Sequence, residues 1–224
     1  MRISNFLRTV TVAGLLSFGS MAAFGNVLGS NDCVGGSCGG TLDIFSNLPG
    51  TLLNSNSVTF TALDAQSVAK YSGVLRSAVY RNAGNTLDFY YQFLNDAGSV
   101  DAVGRLTMTD FAGFSTDVGY RMDDIDGAGN FTVATQAALS SDRSASGGTI
   151  GFSFGPGLNL INPGDTSATL VIRTNALEYT AGSVTTQNGA VYTTAAFAPA
   201  VPEPGTYAMM GGGLIALAFL RRRK

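Results

Sequence analysis

Fifteen carboxylates are the main chemical resource of this 224-residue chain, because it has no histidine and only two cysteines. Without an imidazole there is no Ser-His-Asp or Cys-His relay, no histidine general base and no histidine-held metal. Two kinds of carboxylate chemistry are left: an Asp pair as acid and base in glycoside hydrolysis, or an Asp group around a hard cation. The densest run is Asp117 followed by Asp123, Asp124 and Asp126, ahead of Gly127-Ala128-Gly129-Asn130. Short acids beside glycine turns suit Ca²⁺, so Asp123, Asp124 and Asp126 form a candidate Ca²⁺ site. The EF-hand template fails there, since Gly127 in its sixth place puts Met122 in the first and Val133 in the twelfth. Asp is also common at turns because it caps local backbone groups. Catalytic acids of hydrolases are often Glu, which occurs only at Glu178 and Glu203. No Walker loop, dinucleotide fingerprint, nucleophile elbow or zinc motif is present. The expectation is a protein without enzymatic activity and with no cofactor other than Ca²⁺.

A second constellation lies in the alternating run Leu87–Leu94. Leu87, Phe89 and Tyr91 share one face of a strand, and Asp88, Tyr90 and Gln92 share the other. A ring can stack on the apolar face of a sugar while an amide and a carboxylate fix its hydroxyls. Asp88, Tyr90 and Gln92 are therefore candidate sugar-binding residues, and Tyr91 belongs to the core. The platform is a poor one without tryptophan, and the chain has none.

The elements that must position these residues read as strands. Ile150, Phe152 and Phe154 alternate, as do Ala168, Leu170 and Ile172. Further runs are 58–63, 74–81, 103–111, 117–122, 131–137 and 190–197. Between them stand Asn82-Ala83-Gly84-Asn85, Asn162-Pro163-Gly164-Asp165 and Gln187-Asn188-Gly189, the last predicting a hairpin with a type I′ turn. Many short strands with Gly/Asn turns and no sustained 3.6 period predict an all-β, sandwich or jelly-roll-like domain. A β-helix is the alternative, but no fixed-period repeat supports it. Asn130-Phe131-Thr132 fits a glycosylation acceptor by chance, whereas the Ser/Thr-rich stretch 180–194 is a candidate for O-linked sugar.

The two ends differ from this body. Arg2 and Arg8 precede an apolar run from Val10 to Phe18 and small residues from Ser20 to Gly25, the order of a secretory signal peptide. Nine apolar residues are too few for a membrane span of about 20, and cleavage fits after Ala22 or Gly25. At the other end, Ala198-Pro199-Ala200-Val201-Pro202-Glu203-Pro204-Gly205 excludes a regular helix, because its prolines lack a donor and fix φ. Tyr207–Leu220 then runs without a charge into Arg221-Arg222-Arg223-Lys224. That order reads as a short membrane anchor with a cytoplasmic tail.

Val201-Pro202-Glu203-Pro204-Gly205-Thr206-Tyr207, the apolar run and the basic end together resemble the PEP-CTERM sorting signal of Gram-negative bacteria. The resemblance covers about residues 200–224. It implies that an exosortase, a membrane protease-transpeptidase, recognises Pro202, Glu203 and Pro204, and that the helix beyond them is removed after a transient stay in the inner membrane. It also implies a destination at the cell surface or in the extracellular matrix, with exopolysaccharide as a partner.

The expected organisation is a signal peptide at 1–25, a β-sandwich ectodomain at 26–198 and a Pro-rich linker at 199–206. A transmembrane helix at 207–220 and a basic tail at 221–224 complete it. In an exported domain, the even pair Cys33 and Cys38 reads as a disulfide. The net charge of −2 averages unlike parts. Between Asn26 and Val201 seven cations face fourteen acids, a formal −7 that should repel acidic polysaccharides and nucleic acid unless cations bridge them. The leading expectation is an exported structural component of a surface or biofilm matrix. A carbohydrate-binding module is one rival. A carboxylate-dependent glycan hydrolase is the other, and it requires a cleft with two converging acids, one of raised pKa.

Overall fold

A computed structural model describes residues 26–124, 130–155 and 160–200. The segments expected to be a signal helix and a transmembrane helix, with the PEP motif and the basic tail, lie outside the described residues. In chain order the strands are β1 (Asn26–Val27), β2 (Cys33–Gly35), β3 (Asp43–Ile44), β4 (Thr51–Leu63), β5 (Ala69–Arg81), β6 (Leu87–Asn95), β7 (Arg105–Met108), β8 (Thr116–Arg121), β9 (Ser140–Arg143), β10 (Ile150–Ser153), β11 (Thr169–Thr174), β12 (Tyr179–Asn188) and β13 (Ala190–Pro199). One sheet runs β1-β8-β11-β6-β5-β4 with β3 parallel to β8; the other runs β13-β12-β7-β10-β9-β2. The expected two-sheet, all-β sandwich is what forms.

Period-two alternation makes one face of each sheet apolar, and burying those faces against each other drives the packing. Phe60, Tyr71, Phe89, Tyr91 and Phe93 of the first sheet meet Leu106, Met108, Ile150, Phe152 and Val184 of the second. Phe60 stacks on Tyr192 with centroids 4.4 Å apart and on Phe93 at 5.6 Å. The phenol ends do not stay unpaired in this core. The Tyr71 hydroxyl donates to the Thr186 carbonyl at 3.0 Å and that of Tyr91 to Phe197 at 2.6 Å, so each tyrosine also ties one sheet to the other's backbone.

One end is closed by Arg143, which is 6% exposed. Its guanidinium donates to the carbonyls of Leu28, Phe111, Phe114 and Gly147 and to the Thr116 hydroxyl, all at 2.8–3.0 Å. Burial pulls its pKa below the ordinary arginine value. A single side chain thus holds the exit from β1, the loop before β8 and the β9–β10 hairpin.

Three local expectations change. The run 131–137 is irregular, joined to the sheet by an isolated bridge from Gln136 to Ser167. The run 103–111 shortens to β7, because Asp110 takes a left-handed φ of 72°. The hairpin at Asn188-Gly189 forms where expected, with Asn188 paired to Ala190. It is not a type I′ turn, which needs positive φ at both central residues; here Gly189 has φ 67° and Asn188 does not share it. The Asn188 amide donates instead to the Ala102 carbonyl at 2.7 Å.

Candidate functional site

The strand register, rather than sequence proximity, assembles a charged row on the first sheet. Arg173 of β11 lies directly opposite Asp88 of β6 on one side and Asp117 of β8 on the other. Cross-strand neighbours on one face have side chains within reach, and opposite charges meet across the ladder. Arg173 Nε is 4.0 Å from Asp88 Oδ2, and Nη1 is 3.8 Å from Asp117 Oδ2. The guanidinium carbon sits 3.8 Å from the centroid of the Phe45 ring, a cation–π arrangement that fixes its plane. Asn82, at the turn before β6, donates to Asp88 Oδ1 at 2.8 Å. That turn is set locally, because Asn82 Oδ1 accepts the Gly84 N–H at 2.9 Å and Asn85 takes a φ of 63°.

This row forms the floor of a cleft of about 710 Å³, rimmed by Val27, Leu48 and Pro49. Asp88 is 4% exposed. Burial pushes its carboxyl up to about 6, opposed by the Asn82 hydrogen bond and Arg173, with Asp117 adding to the rise. A carboxyl in that range exchanges its proton at mildly acidic pH. Asp117 and Arg173 become site residues only through the register. Their signal in the sequence is slight: Arg173 interrupts the apolar run of β11, and Asp117 precedes Val118 in a strand that also carries Arg121.

The proposed sugar platform does not have a solvent-facing ring. Asp88, Tyr90 and Gln92 do share the outer face of β6, but segments around Phe45 and Phe131 cover that face. Tyr90 is 1% exposed in a small cluster with Phe45, Ala78, Tyr80, Phe131 and Val171. Its hydroxyl pKa is raised, first by burial and then by Asp88. Gln92 is fully buried and works as a clamp. Its Oε1 accepts from the Thr132 N–H at 3.0 Å and from Arg76 at 3.2 Å, while Nε2 donates to the Thr132 carbonyl at 2.7 Å. Period-two alternation sorted these side chains by face correctly; what covers a face is decided by distant loops.

Asp123 does not turn towards Asp124. Both its oxygens accept from Arg121, at 2.9 and 2.7 Å, and Arg121 also donates to the Asn47 carbonyl at the cleft wall. Asp124 is exposed and Asp126 lies outside the described residues. Among the described residues no three acidic or cysteine side chains gather where they could hold a metal ion. Cys33 and Cys38 form the expected disulfide. It pins the single 3₁₀ turn after β2, where Gly35 and Gly36 supply φ of 80° and 52°.

Fold and cleft define a disulfide-bearing β-sandwich suited to life outside the cytoplasm, with a charged groove at one end. The particular assignment comes from the tail: residues 200–224 match the family model of the PEP-CTERM protein-sorting motif. The chain is thus an exported protein carrying an exosortase sorting signal. No curated protein and no solved structure matches it. Among the described residues no helix is long and apolar enough to cross a membrane; the expected anchor at 207–220 and Pro202, Glu203 and Pro204 lie outside them.

Proposed function

We propose that this protein is a non-enzymatic structural component of the cell surface or exopolysaccharide matrix, delivered there by exosortase processing of its tail. The observation that carries the reading is where the sandwich ends. β13 pairs with β12 as far as Pro199, and the Ala200 N–H donates to the Glu178 carbonyl at 3.0 Å. The sorting match begins at residue 200, so removing the tail leaves every strand pair intact. Deleting the protein should lower the elastic modulus of the matrix without changing how much exopolysaccharide is made. Unchanged matrix mechanics, with no protein in the matrix fraction, would refute the proposal.

A second reading, a carboxylate-dependent glycan hydrolase, is favoured by one observation: Asp88 and Asp117 converge in a cleft and Asp88 has a raised pKa. It ranks second because Arg173 lies between the two carboxylates, where a scissile bond and its water would need room. Release of reducing ends from exopolysaccharide, abolished in a folded Asp88→Asn variant, would reverse the ranking.

A further inference from the structure

We infer that the side of the sandwich formed by β4 and β13 is a self-association surface, at which two copies of this chain pair edge to edge. Sheet edges expose rows of N–H and C=O groups, and native proteins blunt them with short strands, charges, prolines or covering loops. One side of this sandwich is blunted in that way. Its edges are β1 and β3, of two residues each and both paired to β8, and β2, of three residues running into the disulfide-pinned turn. The other side is not. Among the described residues β4 pairs only with β5, and β13 only with β12.

These two open edges are long and uncharged. β4 has thirteen residues without a charge or a proline, and β13 has ten without a charge, its one proline being the terminal Pro199. The irregularities of β4 fall at its ends, between Leu52 and Asn54 and between Ala62 and Leu63, leaving Asn54–Ala62 in unbroken register with β5. Ser57, Thr59 and Thr61 of β4 and Val191, Thr193 and Ala195 of β13 are exposed. In a body of formal charge −7 these edges present no like charge to an approaching copy.

The choice of occupant follows from the edges coming as a pair. Phe60 of β4 lies on Tyr192 of β13 with rings 1° from parallel, so both sheets stop at the same side. A single extended peptide can pair with one edge only. A second copy carries the same two edges at the same spacing, and a two-fold rotation joins both sheets at once. Because the opposite side is blunted, the product is a closed dimer and not a fibre.

Sedimentation velocity of the exported protein, purified from the producing cells, tests this across micromolar concentrations. The expected species is a dimer. A Ser57→Lys/Thr193→Lys variant with unchanged far-ultraviolet circular dichroism should associate at least tenfold more weakly. Thr59→Lys/Val191→Lys should behave alike and serves if the first pair does not fold. Ala145→Lys, on the exposed β9–β10 turn, should leave the dimer intact. A monomeric wild type, a dimer that survives the edge lysines, or open-ended oligomers would overturn the inference.

Discussion

Replacing Arg143 by methionine removes the charge and every donor while filling much of the same volume. The side chain makes five hydrogen bonds, all to neutral oxygens, and is 6% exposed. Hydrogen bonds from a charged donor contribute about 1.5 kcal/mol or more each, giving a gross loss of about 7.5 kcal/mol or more. Relief of the buried charge offsets part of it, since burying an ion costs several kcal/mol. The carbonyls of Phe111, Phe114 and Gly147 then lose this donor, so the net loss should be about 3–4 kcal/mol. Urea unfolding followed by far-ultraviolet circular dichroism measures this directly; the chain has no tryptophan to report by fluorescence. Arg143→Lys should recover only part of the loss, because one ammonium cannot reach acceptors spread over three segments. A loss below about 1 kcal/mol for Arg143→Met would refute the claim that this guanidinium closes the end of the sandwich.

Asp88 should make the fold less stable as pH rises. Its folded pKa of about 6 lies above the ordinary aspartate value of 3.8, so its contribution is full below 3.8 and is lost as pH climbs through 6. The loss is about 3 kcal/mol, and Asp88→Asn should flatten the melting temperature between those limits; an unchanged slope would contradict the buried, raised carboxyl. Gly73→Ala should destabilise by about 1–3 kcal/mol, because the new methyl would meet the Leu94 carbonyl and the Phe93 ring. Gly151→Ala meets only the flexible end of Arg105 and should cost less, and equal melting shifts for the two would refute this reading of the packing. The Cys33–Cys38 bond closes so short a loop that reducing it should cost only about 2 kcal/mol, with the circular dichroism spectrum retained; unfolding on reduction would show that the sandwich depends on it.

The strands readable from sequence are those with large apolar residues at every second position. β6, β10 and β11 appear within a residue or two of their predicted limits. β12 is hidden, because Tyr179-Thr180-Ala181-Gly182-Ser183-Val184-Thr185-Thr186-Gln187-Asn188 is almost all small or polar and has little apolar contrast between its faces. The stretch suggested as an O-glycan region is therefore largely a hairpin, though Thr193 and other hydroxyls on it are exposed. β9, Ser140–Arg143, carries two charges in four residues and looks like a loop until Arg143 finds its carbonyls. The Asp88–Arg173–Asp117 row could not be read, because it depends on strand order, which alternation does not encode. Alternation also treats the outer face of β6 as wet, whereas Phe45 and Phe131 come from far along the chain to cover it. The sorting tail was legible for the opposite reason: its signal is local order along the chain, independent of packing.

Intact-mass spectrometry of the protein from the envelope and extracellular fractions of cells that contain an exosortase is the most direct test of the account. The predicted product begins at or just before Asn26, keeps a Cys33–Cys38 disulfide and lacks Tyr207–Lys224. A mature protein outside the inner membrane that still carries Tyr207–Lys224 would contradict exosortase processing.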